Sequence, residues 1–163
     1  MLITFPTRQA KPAGFQSFHH QIRLHTDECL QFIDLTDKII ALARESGITN
    51  GFVNVQTRHT TTAIIVNEHE PLLLEDLKSA LERMAPRNAA YRHDDFEIRT
   101  ANLTPDEKPN GHAHCKALFL GASETLNIAN GELQLGRWQR IFLIELDCAR
   151  ERTVSVLLMG QAG

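Results

Sequence analysis

The sequence predicts an α+β fold: a mostly antiparallel β-sheet or sandwich with two main helices and one short helix. Strand-like segments rich in β-branched residues dominate, and the helical segments are inserted among them without the strand–helix alternation of a parallel sheet. Asn130-Gly131 lies between two strand-like runs, which strongly indicates an antiparallel hairpin. We expect the 163 residues to form a single domain, 1–163, in which 1–14 is an N-terminal tail or edge segment.

The first half of the chain supplies four strands and both main helices. From Phe15 to His25 apolar and polar residues alternate, which predicts a half-buried strand, and Leu30–Ile33 continues the strand pattern. A helix of about three turns is expected from Thr36 to Gly47. The next elements are two strands and a helix that begins at a proline and ends before another: Gly51–Thr57, Thr60–Val66 and Pro71–Pro86.

The second half begins with a polar, proline-broken stretch from Arg87 to Asn110, too long for an ordinary connection. Such a loop is either part of a site or mobile. A short helix is expected from Asn110 to Leu118. An antiparallel meander then completes the chain: Glu124–Ile128, Glu132–Leu135, Trp138–Asp147 and Thr153–Met159.

Charge and composition exclude several classes of function. The net charge of −3 gives no basic excess for nucleic acid or an acidic membrane surface. Apolar runs are far shorter than the ~20 residues that span a bilayer, and no secretory signal is evident. Three scattered cysteines form neither a disulfide framework nor a metal knuckle. We therefore expect a cytoplasmic protein.

Eight histidines make imidazole chemistry the first functional question. Arg58-His59-Thr60-Thr61-Thr62 precedes a predicted strand, and Asn67-Glu68 follows it. Polar groups at strand ends can converge on a ligand, threonine hydroxyls can contact phosphate oxygens, and Glu68 is a candidate general base. The alternative is an ordinary β-branched strand flanked by polar turn residues.

A second cluster, His112-Ala113-His114-Cys115-Lys116, lies at the start of the short helix. In a helix the two imidazoles point about 200° apart, so they rarely share one ion. The free N–H groups of a helix start favour anions, so His114 with Lys116 could receive a phosphate. The alternative is one exposed and one packed histidine.

A third cluster, Tyr91-Arg92-His93-Asp94-Asp95, is either a histidine ligand with carboxylate support or a charged loop. His59, His93 and His114, if they meet in space, would suit Zn²⁺ with one position open for water or substrate. The lone tryptophan, Trp138, is expected in the core, with a wall for an aromatic substrate ring as the alternative.

The segment SETLNIANGELQLGRWQRI, Ser123–Ile141, resembles the signature of the YjbQ-like proteins, a family often labelled secondary thiamine-phosphate synthase. Agreement extends to His59-Thr60-Thr61, Asn67-Glu68, Tyr91-x-His93 and Ala113–Ala117, so the resemblance covers roughly Phe15 to Gly160.

The resemblance implies a trimeric α+β fold and a pocket where histidines gather around a metal ion or an anion. His59, His93 and His114 fall on the three motif histidines of the family. The other polar or aromatic motif positions are Asn67, Glu68, Ser123, Trp138 and Gln139. Arg137 departs from the pattern, which often has Thr, and adds a cation for a nearby phosphate or a surface salt bridge.

Together these observations predict a small-molecule enzyme that acts on a phosphorylated substrate, with thiamine-phosphate synthase-like transfer as one form. The candidate catalytic residues are His59, Glu68 and His114, and the candidate ligands of a divalent metal, Zn²⁺ first, are His59, His93 and His114. The candidate substrate-binding residues are Thr61, Asn67, Lys116, Ser123, Trp138 and Gln139. The alternative is a non-catalytic, trimeric metabolite- or metal-binding protein.

Overall fold

The computed structural model describes residues 14–162, so the expected N-terminal segment lies outside the described residues except for Gly14. The strands are β1 Phe15–His25, β2 Gln31–Asp34, β3 Ile48–Thr57, β4 Thr62–Glu68, β5 Ser123–Ala129, β6 Glu132–Leu133, β7 Gln139–Glu145 and β8 Glu151–Ala162. The helices are α1 Thr36–Glu45, α2 Pro71–Met84 and α3 Gly111–Ala117, and a single 3₁₀ turn spans Arg92–Asp94.

Two antiparallel sheets pack face to face, and α2 and α3 cover the other face of the smaller sheet. The larger sheet has the order β1-β8-β3-β5-β6, and the smaller has the order β2-β7-β4. The predicted α+β class and its antiparallel sandwich are confirmed.

The central strand β7 explains why the smaller sheet needs cover on both faces. Ile141 and Leu143 belong to the core between the two sheets, together with α1. Phe142 and Ile144 belong to a second core, with Leu81 of α2 and residues of α3. Because successive side chains of a strand alternate between faces, a run of four apolar residues marks a strand buried on both sides.

Helix α2 begins where its sequence predicts, because Pro71 tolerates the first helical position and Glu70 caps it. The Glu70 carboxylate accepts hydrogen bonds from the N–H groups of Leu72 and Leu73, at 3.0 and 2.7 Å. These bonds hold its pKa below the usual range. No helix of the described residues is long and apolar enough to cross a membrane.

One prediction about the meander is wrong. Trp138 lies before β7 rather than in it, with 60% of its surface exposed, so it is not a core residue. Arg137 stacks on its ring, with 4.5 Å between the guanidinium carbon and the ring centroid. The strand begins one residue later because Trp138 belongs to the turn that Gln139 closes, through a hydrogen bond from Gly136 N–H to Gln139 Oε1 at 2.8 Å.

Candidate functional site

A cavity of about 1090 Å³ lies where the β3–β4 turn, the start of β8, the long loop after α2 and helix α3 meet. Histidine and cationic side chains dominate its lining: His59, His93, His114, Arg58, Arg92, Arg99, Lys108, Arg150 and Arg152. Asp106 and Glu107 are its acidic lining residues. The lining therefore has an excess of positive charge, although the chain as a whole has a net charge of −3.

His59 is oriented by the backbone of the neighbouring strand. The N–H of Thr153 donates to His59 Nε2 at 2.8 Å, so this nitrogen carries the lone pair and the proton of the neutral ring lies on Nδ1. Burial lowers the pKa of His59 below its ordinary value of 6.5, and the charge of Arg152 lowers it further. His59 is thus a neutral ring whose Nδ1–H is left to donate.

Beside His59, a buried ion pair forms the floor of the cavity. Arg152 donates from Nε and Nη2 to the two carboxylate oxygens of Glu145, each at 2.5 Å, and both side chains are at least 97% buried. Thr26 Oγ1 and the N–H of Asp147 also donate to Glu145, both at 2.9 Å. Arg152 Nη2 reaches Thr61 Oγ1 at 3.2 Å, whereas Nη1 has no hydrogen-bond partner among the described residues. A buried, fixed guanidinium with spare N–H groups is well suited to an anion.

On the opposite side, Asp94 fastens the long loop to helix α3. Its Oδ1 accepts hydrogen bonds from the N–H groups of Asn110 and Gly111, at 2.9 and 2.8 Å. The contact needs a glycine, because a Cβ on Gly111 would lie 2.5 Å from Tyr91 Cβ. The capped helix start holds His93 against His114, with 4.6 Å between ring centroids.

His114 is also held neutral. Burial lowers its pKa below 6.5, and the charges of His93 and Arg99 act in the same direction. A neutral imidazole near physiological pH can accept a proton, so His114 is suited to general-base chemistry.

Arg99 organises the rest of the loop. Its guanidinium pairs with Glu107 and donates to the carbonyl oxygens of His93, Ala101 and Asn102, at 3.2, 3.2 and 2.8 Å. The Arg99 hydrogen bond holds the pKa of Glu107 below its usual range. The long loop is therefore part of the cavity wall, which is one of the two roles its length suggested.

A three-histidine zinc site does not fit this arrangement. A metal needs an imidazole lone pair, and that of neutral His59 is already taken by Thr153 N–H. Within residues 14–162, no three His, Cys, Asp or Glu side chains are grouped so as to hold one ion. His93 and His114 alone remain as a neighbouring pair of candidate ligands.

Of the predicted substrate-binding residues, Thr61 lines the cavity and Lys116 does not. Lys116 is fully buried on the other face of α3, where Nζ donates to Ala85 O at 2.7 Å and lies 3.0 Å from Glu82 Oε2. The expectation that His114 and Lys116 jointly receive a phosphate is therefore wrong for this helix. The periodicity that separates His112 from His114 also turns Lys116 inward, beside His112 Nδ1 at 3.3 Å.

The other predicted residues lie away from the cavity. Antiparallel pairing of β4 with β7 puts Thr62 opposite Glu145 and Glu68 opposite Gln139. The six residue steps of β4 span about 20 Å at ~3.3 Å each, so Glu68 cannot act as a base at His59 within one chain. Asn67, Trp138 and Gln139 share the Glu68 end of the strand, and Ser123 is exposed at the start of β5.

Sequence reasoning missed the arginines. Arg58 and Arg92 stand next to motif histidines, and that adjacency was an available signal. The sequence signal for Arg152 was stronger, because this residue shares the inward register of β8 with Val154, Val156 and Leu158. An arginine in a buried register requires a buried partner.

Comparison with known proteins shows what the chain is similar to. The family model described as "UPF0047 protein YjbQ-like" matches residues 20–161. A UPF0047 protein of Methanothermobacter thermautotrophicus is 36% identical over 144 residues, which cover 88% of this chain and 93% of the relative. Bacillus subtilis YugU is 31% identical, over 85% of this chain and 97% of YugU.

Solved structures agree with the sequence comparisons. The crystal structure of a YbjQ-like protein of unknown function from Sulfolobus solfataricus has a TM-score of 0.81 at 32% identity, covering 91% of this chain and all of the other. A YjbQ/UPF0047 family protein of Clostridium acetobutylicum has a TM-score of 0.74 at 34% identity, covering 85% of this chain and 98% of the other. With sequence and structure in agreement over most of its length, the chain belongs to the YjbQ-like UPF0047 family.

Proposed function

We propose that this protein is an enzyme that acts on a phosphorylated small molecule bound in the histidine- and arginine-lined cavity. The observation that carries the proposal is the meeting of His59, His93 and His114, from three distant parts of the chain, with six cations around one cavity. Arginine and imidazole N–H groups are the donors that phosphate oxygens favour. A volume of about 1090 Å³ accommodates a whole metabolite beyond its phosphate group.

Each side chain has a defined role in this proposal. Arg58, Arg152 Nη1 and His59 Nδ1–H bind the phosphate, and Arg152 is held in position by Glu145. His114 replaces Glu68 as the general base, because it lines the cavity and is neutral near pH 7. His93 packs on His114 and fixes its ring.

Thiamine-phosphate synthase-like transfer is the more specific form of the proposal. It joins a pyrimidine-methyl diphosphate to a thiazole phosphate, with pyrophosphate leaving. The cationic lining supports binding of both phosphorylated partners. The divalent metal that this chemistry commonly uses is not part of our proposal, because His59 does not fit as a ligand. ICP-MS on untagged protein should accordingly find far less than one zinc per chain.

The test combines calorimetry with ³¹P NMR. Wild-type protein is titrated with inorganic phosphate and then incubated with a panel of phosphate esters, including the two thiamine-phosphate precursors. We expect saturable phosphate binding, weakened about tenfold by Arg58→Gln, and ester turnover lost in His114→Gln. His20→Gln, on exposed β1, is the matched control and should behave as wild type. Absence of phosphate binding, or full turnover by His114→Gln, would contradict the proposal.

A non-catalytic metabolite-binding protein is the second candidate, and one observation favours it. Within one chain the cavity has the cationic groups that bind an anion, but it lacks the carboxylate predicted as the base, because Glu68 lies at the far end of β4. This candidate predicts phosphate binding that depends on Arg58, with no ³¹P-detected product over hours.

We also propose that the protein assembles as a homotrimer. The outward face of the larger sheet carries Phe15 and Phe52, 68% and 36% exposed, with Leu157 and Met159 beside them. Apolar side chains on a sheet face that none of residues 14–162 covers are typical of an oligomer interface. Light scattering should give a mass of three chains, about 55 kDa from 18.4 kDa each. A monomer mass would contradict this part of the proposal.

A further inference from the structure

The cavity has cations on two structurally separate sides. The strand side consists of the β3–β4 turn and the start of β8, with Arg58, Arg150 and Arg152. The loop side consists of the long loop after α2, with Arg92, Arg99 and Lys108. One phosphate bound to the strand side leaves the cations of the loop side unused.

On the strand side, internal carboxylates neutralise two of the three arginines. Arg152 pairs with Glu145, and Arg150 Nη2 lies 2.6 Å from Asp147 Oδ2. Arg58 has no carboxylate partner among the described residues. The strand side therefore has one uncompensated positive charge, next to the Nδ1–H of His59.

The loop side has the same net charge as the strand side. Glu107 neutralises Arg99. Arg92 and Lys108 have no carboxylate within salt-bridge distance in residues 14–162, and Asp106 is the single acidic lining residue left to oppose them. This side therefore also has one uncompensated positive charge.

We propose that the ligand of the cavity carries two separate anionic groups, a phosphate held by Arg58 and Arg152 on the strand side and a second anionic group held by Arg92 and Lys108 on the loop side. This inference rests on the proposed function and deepens it by naming the substrate class. Like charges left uncompensated around a shared cavity repel each other, and a ligand that supplies an anion to each removes that repulsion. Because one ligand then contacts both sides, it clamps the loop to the strands.

Calorimetry with matched probes tests the second anion. Fructose 6-phosphate and fructose 1,6-bisphosphate share a sugar and differ by one phosphate. Glycerol 3-phosphate and 3-phosphoglycerate test whether a carboxylate can serve as the second group. In wild type we expect the doubly anionic member of at least one pair to bind about tenfold more tightly.

Two double variants make the result specific to the loop. Arg92→Gln/Lys108→Gln removes the loop-side charges, and Lys78→Gln/Arg83→Gln removes the same charge from α2, away from the cavity lining. We expect the tenfold preference to fall to about onefold in the first variant, with fructose 6-phosphate affinity within twofold of wild type. The second variant should keep the preference.

Hydrogen exchange on wild type is a measurement that needs no variant. We expect the preferred doubly anionic probe, and not its singly anionic partner, to protect residues 92–108. Equal affinity within both pairs, or a preference that survives Arg92→Gln/Lys108→Gln, overturns the two-anion inference while phosphate binding stands. Failure of every probe to bind overturns the proposed function as well.

Discussion

The two ends of strand β4 differ in almost every physical property, although the sequence presents them as one cluster. At the end near His59 and Thr61, a concave cavity lies above the buried Arg152–Glu145 pair. At the end near Glu68, the neighbours Arg137 and Trp138 stack on each other at an exposed surface. One end of β4 therefore lies at a preorganised polar site, and the other end lies at an exposed surface.

The difference shows that residues grouped into one sequence motif can lie far apart in the structure when a strand separates them. A helix brings residues three or four apart together, whereas a strand separates residues six apart by about 20 Å. The cavity is instead assembled by contacts distant in sequence, such as His59 with Thr153 and Asp94 with Gly111. Candidate functional residues are therefore better identified by those contacts than by proximity in the sequence.

The largest expected contrast between the two ends comes from removing one arginine at each. Arg152→Met leaves Glu145 as a buried, unpaired carboxylate, and breaking such a pair costs about 3–5 kcal/mol. Arg137→Met loses a stacking contact at an exposed ring, worth about 0.5–1 kcal/mol. Urea unfolding of both variants measures the difference, and equal losses would break the comparison.

A second contrast uses one glycine from each end. Gly111→Ala adds a methyl group 2.5 Å from Tyr91 Cβ, so we expect a loss of about 1–3 kcal/mol despite the better helix propensity of alanine. The displaced loop should also move His93 off His114, and NMR titration should show the pKa of His114 returning towards 6.5. Gly136→Ala meets only the flexible Gln139 side chain, at 3.3 Å, and is the control. An unchanged His114 titration in Gly111→Ala would contradict the proposed positioning by Asp94.

The histidines make stability depend on pH. Burial lowers the pKa values of His59, His112 and His114 below 6.5 in the folded chain. As the pH falls below about 6.5, the unfolded chain binds protons that the folded chain resists, so the free energy of unfolding decreases. We expect the urea midpoint to fall between pH 7.5 and 5.5, less steeply in His114→Gln and as in wild type for His20→Gln. A midpoint independent of pH over this window would contradict the burial of these rings in neutral form.

The sequence predicted the scaffold well because its signals are local. Proline at the start of α2, the Asn130-Gly131 turn and the β-branched runs of β3 and β4 each act within a few residues. The three histidines also lie in one cavity, as the family resemblance implied.

The features that the sequence could not predict depend on how side chains are oriented after folding. Whether His59 offers a lone pair or a proton depends on Thr153, 94 residues away, and only the packed strands settle it. Lys116 and Trp138 were misplaced for related reasons. A lysine on a short helix turned inward because Ala85 O and Glu82 were there to receive it, and a tryptophan beside a strand stayed outside because the turn ended one residue later.

The smallest expected effect concerns Glu68 itself. Glu68→Gln removes a charge about 20 Å from Thr62, more than twice the ~8 Å screening length at physiological salt, so phosphate affinity should change less than twofold. Arg58→Gln, which changes one charge at the cavity end, should weaken it about tenfold in the same titration. A loss of affinity in Glu68→Gln that matches Arg58→Gln would contradict the separation of the two ends within one chain.

Since β4 is too long for the two groups to meet in one subunit, that outcome would require Glu68 to reach the cavity of a neighbouring subunit. Mixing Glu68→Gln with Arg58→Gln chains would then restore some intact sites, whereas sites built within one chain would stay impaired in every mixture.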